Sequence, residues 1–406
     1  MMFKSLTKVF LPVVILFMPF SASGQPAWKL QECVEYALKN NLQLQQSKLS
    51  RSIAEANRQQ SLFNFFPTLN GNASFNYNSG RSVDPFTNTV TTRNIQSASF
   101  SLTTGITLFN GFQLQHQYQQ SRMNAQAAEY DLEKMRNDIA LNVVGAYLQV
   151  IYTLEELQSA RERVDLARQY LSRTRKLVEQ QVLPSGSALE AEAQLANEEY
   201  AHTLALNAYQ NALLSLAQWM NLDPDTSFKI EIPQIEIPSL QRLELSPEMI
   251  YRQALKRQPE IRSAELRVIA ACHNWNMALG GRVPRLTFFA SLSTLYSNQA
   301  SRLKGLPLFL GYQPTGSLTA SGETVLSPSY QYEFEKIPFS DQLDNNLSKS
   351  FGFNLSIPVM NGRSAEMAIK RARLNYESAR LSQQIAEDQL YKTIQQAHQD
   401  ALAALN

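Results

Sequence analysis

Two repeating patterns meet in one stretch of this chain, and few folds accommodate both. From Ala98 to Leu108 the residues alternate: Ala98, Phe100, Leu102, Thr104, Ile106 and Leu108 on one side, Ser99, Ser101, Thr103, Gly105 and Thr107 on the other. That period of two marks a strand with one apolar and one wet face. Phe109-Asn110-Gly111-Phe112 interrupts it, after which Val143, Val150, Leu157, Val164, Leu171 and Val178 recur every seven residues. Gln113 to Gln181 contains no proline and a single glycine, Gly145. The pattern predicts a strand that runs directly into a very long heptad helix.

The predicted helix of 69 residues would be on the order of 100 Å long at 1.5 Å per residue. No globular core needs such an element, so a coiled-coil rod or tunnel wall is the natural reading. Ala146, Thr153, Ala160, Ala167 and Thr174 form a line of small residues beside the seam. Arg161, Arg168 and Arg175 are also seven apart; a solvated face of a rod is the simple reading, a basic line in a lumen or partner groove the alternative. Val182-Leu183-Pro184-Ser185-Gly186-Ser187 reads as a compact turn, with Ser187 as the cap of a returning helix, Ala188 to Met220. So short a link implies an antiparallel helical hairpin over 113–220. Pro224, Pro233, Pro238 and Pro247 then mark residues 221–247 as a linker of short extended pieces.

The chain next repeats itself. Ala37-Leu38-Lys39 returns as Ala254-Leu255-Lys256, and Pro67-Thr68-Leu69 as Pro284-Arg285-Leu286, both at an offset of 217. Phe109-Asn110-Gly111 returns as Met360-Asn361-Gly362 at 251, which places a 34-residue expansion in the second loop, Ser297 to Ser348. Each repeat reads as helix, strand, loop, strand, helix: 25–220 in the first, 248–406 in the second. Trp28 to Phe66 is the first helix. Strands are expected at 68–78, 98–109, 286–296 and 350–357, and a last helix carries Ala368, Ala372, Tyr376, Ala379 and Ile385 inward. By the offset of 251, Asn406 matches Glu155, midway along the first long helix, so the second repeat is expected to be truncated.

The N-terminus has a secretory layout: Lys4 and Lys8, an apolar run from Val9 to Phe20, and small residues at Ala22-Ser23-Gly24. Residues 1–24 are therefore expected to be a signal peptide, and no later stretch reaches the roughly 18 apolar residues of a membrane helix. An exported chain of this kind enters a membrane only by strands. The four strands are close to the roughly 9–11 residues of a tilted membrane strand. Phe65, Phe66, Phe109 and Phe112 fit one interfacial girdle, Tyr77 and Tyr296 the other. Four strands cannot close alone, and an open edge cannot face lipid. Two copies give eight strands and a filled interior, whereas three give twelve and a channel. The Asn, Ser and Thr of the wet faces favour the channel over a soluble β-sandwich with a helical rod.

These features together resemble the TolC-type outer-membrane efflux proteins. The resemblance rests on the doubled repeat, on Pro67 and Pro284 before the first strand of each half, and on Asn110-Gly111 and Asn361-Gly362 after the second. Val182 to Ser187, followed by Ala188-Leu189-Glu190-Ala191-Glu192-Ala193-Gln194-Leu195, is similar to the family's periplasmic tip. The resemblance implies an α+β membrane protein: a homotrimer with a twelve-stranded outer-membrane β-barrel continued by a periplasmic α-helical coiled-coil barrel. It implies a periplasmic adaptor (membrane-fusion) protein docked at Val182, Leu183, Pro184, Ser185, Gly186 and Ser187. Through that adaptor it implies an inner-membrane pump of the RND, ABC or MFS type, or a type I secretion ATPase.

No catalytic chemistry competes with this reading. His116, His202, His273 and His398 are scattered, Cys33 and Cys272 belong to no C-x-x-C pair, and neither G-x-S-x-G nor a phosphate loop is present. Cys272 and His273 diverge by about 100° on a helix. No catalytic residue, cofactor or metal is expected, and the net charge of +2 carries no nucleic-acid footprint. The expected function is a passive exit duct for drugs, metals or secreted proteins. The alternatives are a diffusion porin, which needs no such rod, and an exported coiled-coil structural protein or adhesin.

Overall fold

A computed structural model describes residues 27–83, 88, 90–92, 94–223, 228–233 and 246–405. The expected signal peptide lies outside the described residues, as do 224–227 and 234–245 of the expected linker. In chain order the elements are α1 Leu30–Asn40, α2 Leu42–Phe63, β1 Thr68–Asn78, β2 Ser82–Val83, β3 Val90–Thr91, β4 Ile95–Phe109, α3 Gln113–Glu179, α4 Ser185–Met220, α5 Pro247–Arg257 and α6 Pro259–Gly280. There follow β5 Arg285–Ser297, β6 Ser301–Leu303, β7 Leu308–Leu318, β8 Thr324–Gln331, β9 Phe334–Lys336, α7 Phe339–Asn345, β10 Ser348–Ser356 and α8 Ser364–Leu405. They divide into two compact units, residues up to 49 with 132–244, and 50–131 with 245–404. The sequence repeats are thus not the compact units.

The single helix expected over Trp28–Phe66 is two. Asn41 leaves the helical region (φ −63°, ψ 126°), its Oδ1 accepts from the N–H groups of Gln43 and Leu44, and its Nδ2 donates to the Trp219 carbonyl. Asn41 therefore ends α1 and caps α2, satisfying donors a helix start leaves orphaned. The break returns 217 residues on, at Gln258, where Pro259 forbids the preceding residue a helical conformation.

In the unit of residues 132–244, α3 buries Ile139, Val143, Tyr147 and Val150 with Cys33, Ala37 and Leu44 of the first helices and Leu216 and Met220 of α4. Trp28 and Ile230 pair as a parallel bridge above it, and the Tyr147 hydroxyl lies within hydrogen-bonding reach of the Trp28 and Glu231 carbonyls. Farther along, Val164 and Leu171 of the seam are buried, as are Thr153, Ala160 and Thr174 of the small-residue line. Of the arginine line, Arg168 pairs with Glu199 at 2.9 Å and Arg175 with Glu192 at 3.4 Å, both on α4.

In the other unit, β1-β4-β5-β10 form one antiparallel sheet. The central pair joins β4 of the first repeat to β5 of the second, leaving β1 and β10 as the two edges. Tyr376 of α8 stacks on Trp275 of α6 at 5.8 Å, and Tyr391 meets Tyr251 of α5 at 5.1 Å. Ile385, expected inward on α8, is 67% exposed, because the inner stripe runs Ala372, Tyr376, Ala379, Leu390. The expected loop 297–348 is also a correction, since it folds into β6 to β9 and α7. Pro314 and Pro328 lie within β7 and β8, which form a lone two-stranded sheet, where every strand is an edge and proline is tolerated.

Candidate functional site: a two-faced sheet and an exposed helical turn

The register of the four-stranded sheet aligns the alternation of every strand. Leu69, Gly71, Ala73 and Phe75 of β1 lie opposite Thr104, Leu102, Phe100 and Ala98 of β4. Leu102 faces Leu292 of β5, and Phe288 and Leu286 face Phe353 and Leu355 of β10. This face is apolar yet open: Leu69, Phe75, Phe351, Phe353 and Leu355 are 59–78% exposed. The opposite face carries Asn70, Asn72, Ser74 and Asn76 against Thr103, Ser101, Ser99 and Ser97, with Ser74 and Ser99 hydroxyls 2.7 Å apart. Phe289 belongs to this wet face. Its ring lies over Gly352, which pairs with it across the ladder, and Gly105 is its partner on the other side. Gly352 thus makes room for one aromatic ring on a polar surface, a Cβ there falling 3.0 Å from the Phe289 ring.

The sheet is met by helices at tight turns. Gly111 and Phe112 adopt positive φ (65° and 60°), and the Asn110 carbonyl and Oδ1 accept from the N–H groups of Gln113 and Leu114. A methyl group on Gly111 would sit 2.8 Å from the Gly280 carbonyl and 2.9 Å from Val283 Cβ. Asn361-Gly362 repeats the turn, with Ser364 N–H donating to the Asn361 carbonyl and Gly362 at φ 59°, but nothing lies within 4 Å of Gly362. Pro67 and Pro284 precede β1 and β5 by one residue. Each thereby stops a helix and begins extended chain. Gly280 went unnoticed in the sequence, although a Gly-Gly pair ending a helical pattern just before a proline marks close backbone approach.

The expected tip is shorter than 182–187. Gln181 is left-handed (φ 62°), and the N–H groups of Val182 and Leu183 return to the Leu177 carbonyl, closing α3. Pro184 precedes the first residue of α4, and Ser185, Gly186 and Ser187 lie in its first turn, Ser187 N–H bonding to the Pro184 carbonyl. The proposed Ser187 cap is therefore corrected: proline starts the helix, its fixed φ suiting that place. Val182 and Leu189 stand 65% and 69% exposed beside it. Among the described residues no group of three His, Cys, Asp or Glu side chains could hold a metal ion, and no helix is long and apolar enough to cross a membrane.

Residues 33–222, which include β1, β4, both tight turns of the first repeat and the α3–α4 tip, match the family profile described as outer membrane efflux protein. These residues are similar to that family. No curated protein matches the chain in sequence. Among solved structures, the fold of the whole chain is similar to CusC, with a TM-score of 0.70, 16% identity, and coverage of 98% of this chain and 84% of that one. It is also similar to the CmeC outer membrane channel of Campylobacter jejuni, with a TM-score of 0.67, 17% identity and coverage of 92% and 73%. A third similar structure is the outer membrane protein VceC of Vibrio cholerae, with a TM-score of 0.69, 15% identity and coverage of 93% and 79%. At these identities the likeness is one of fold, and it covers the second repeat as well as the matched segment.

Proposed function

We propose that the chain is the outer-membrane exit duct of a tripartite efflux pump or type I secretion system. It conducts substrate passively once copies of it share one barrel. The observation that carries this reading is the sheet: one apolar face, one Asn/Ser/Thr face, and two unpaired edges. In lipid every backbone N–H and C=O needs a partner, so β1 of one copy pairs with β10 of the next and the ring closes. Three copies supply twelve strands, enough for an aqueous interior where eight would be filled by side chains.

The pseudo-repeat supports the same ring. Gly111 of the first half seats against Gly280 and Val283 of the second, within one chain. Shifted by the repeat offsets, Gly362 calls for Phe63 and Phe66, which the chain's own fold does not bring to it. Phe63, Phe66, Val359 and Met360 are 64%, 59%, 92% and 91% exposed, a pair of apolar ends that a neighbouring copy covers. The α3–α4 tip, with Val182 and Leu189 outward, is the docking point for a periplasmic adaptor, and through it for an inner-membrane pump. Export from the cytoplasm and an outer-membrane position with a large periplasmic portion follow from the same reading.

Reconstitution tests it. Detergent-extracted protein should run as a heat-resistant trimer and give discrete conductance steps in planar bilayers. A monodisperse monomer without conductance overturns the reading. Conductance from a variant lacking residues 132–220 would favour a simple porin.

A further inference from the structure

The β7–β8 hairpin occupies about half of the connection between β5 and β10, the connection that is 34 residues longer than its counterpart. It is a sheet of its own, hydrogen-bonded to no other strand. A register shift between Phe309 and Gly311 reorders its faces. As a result Phe309, Tyr312, Pro314, Leu326, Pro328 and Tyr330 share one side, through the pairs Phe309–Tyr330, Tyr312–Pro328 and Pro314–Leu326. The Phe309 ring lies 5.5 Å from both Tyr312 and Tyr330. The other side carries Gly311, Gln313, Ser327, Ser329 and Gln331, with Leu308 opposite Gln331 as its exposed apolar exception. The aromatic side is uncharged and open, Tyr312 being 67% and Leu326 54% exposed. An isolated two-stranded hairpin is at best marginally stable in water, and an apolar face of this extent calls for cover.

Topology narrows what can supply that cover. The hairpin leads into β10, an edge of the four-stranded sheet. On the assumption of a shared barrel, the strand beyond that edge is β1 of another copy, and β1 runs at the same end into the short hairpin β2–β3. There Val83 and Val90 face each other across the ladder, 51% and 62% exposed. The chain's own β2–β3 hairpin is as near in sequence order around the sheet, yet it leaves the aromatic face uncovered. We infer that the aromatic face of β7–β8 docks on the β2–β3 hairpin of a neighbouring copy, forming an outer clasp between subunits distinct from the barrel ladder. The occupant is a second copy because the β10 edge, where this connection rejoins the sheet, is the edge that another copy's β1 closes, bringing that copy's β2–β3 to the same end.

The inference rests on the shared-barrel reading, and the experiment separates the two. In a Cys33→Ala, Cys272→Ser background, one chain carries Tyr312→Cys with Val90→Cys, and a control carries Ala73→Cys with Leu355→Cys, which the repeat offsets place opposite each other at the barrel edges. Each is treated in detergent with a short bis-maleimide and run denatured. The inference expects covalent dimers and trimers from both pairs. It also expects Tyr312→Ser with Tyr330→Ser to lower the temperature at which the heat-resistant oligomer dissociates. A ladder from the edge pair alone, with an unchanged dissociation temperature for the serine variant, overturns the clasp and leaves the barrel standing. The absence of both ladders overturns the shared barrel and the clasp with it.

Discussion

Gly111 and Gly280 meet back to back, so closely that a methyl group built on Gly280 would lie 2.5 Å from the Gly111 carbonyl oxygen. Backbone from the strand-to-helix turn of one repeat thereby packs on the helix end of the other, with no side chain between them. Gly111 adds a left-handed backbone at φ 65°. Gly111→Ala and Gly280→Ala should each cost about 1–3 kcal/mol, from overpacking at both and from backbone strain at Gly111 as well. Gly362→Ala has the same left-handed turn but open space, and should cost about 1–2 kcal/mol in a dissociated chain, from φ alone. Thermal melts of the three variants test the order. If Gly280→Ala melted with the unaltered protein, the close approach would be wrong.

The two faces of the sheet predict opposite tolerance. Leu102 lies mid-strand on the apolar face and Leu355 near the end of β10 on the same face, both open. Arginine at either should cost a few kcal/mol where that face meets hydrocarbon, about 2–4 kcal/mol at the midplane and less toward an interface. Ser293→Arg, on the wet face beside Ser101, should leave assembly intact. Yield of heat-resistant oligomer after extraction separates the cases. Equal yields from Leu102→Arg and Ser293→Arg would remove the distinction between lipid and lumen faces.

These predictions draw on elements of very different legibility. The strand at 68–78 was readable to the residue, because Asn or Ser on every second position cannot be core and Pro67 fixes its start. The long helix was readable because a heptad seam without proline has one interpretation. Asn41 and Gln258 were not, since both sit inside helix-compatible patterns and only their equal offset of 217 betrays a shared break. The 297–348 stretch was obscured by prolines that a lone hairpin tolerates and by a bulge that scrambles the period of two. Phe289 stands on a polar face, and pairing sets it between Gly105 and Gly352, a relation across strands that no local pattern contains. The tip was legible as a turn, yet its start at Pro184 was hidden by serines that also make good caps.

His116 on α3 and His273 on α6, scattered in the sequence, come together with their Nδ1 atoms 3.2 Å apart. The hydrogen bond needs one neutral ring to accept. Burial, then the neighbouring His116, holds the His273 pKa below its ordinary value of 6.5. The native state thus binds fewer protons than the unfolded chain as pH falls past that value. The stability involved is fully present above about pH 6.5 and is lost as pH drops through the native pKa. Melting temperature should therefore fall between pH 7.5 and 5, and His273→Gln, which keeps a polar group there, should flatten the decline. A slope unchanged by the substitution would mean that other groups control it.

The tip offers a test in which stability and docking move apart. Gln181 holds the left-handed position that closes α3, where glycine carries no steric penalty. Gln181→Gly should raise stability by up to about 1 kcal/mol, the strain of αL outweighing the added freedom of the unfolded chain. Nothing lies within 4 Å of a methyl group built on Gly186, so Gly186→Arg fits the monomer and alters only the surface. Leu183 is half-buried, and Leu183→Ser removes an apolar contact at the same turn. Both changes should weaken cross-linking to a periplasmic adaptor while the heat-resistant oligomer persists. If the oligomer were lost with them, the turn would be an assembly element, because a surface used only for docking has no bearing on how the copies hold together.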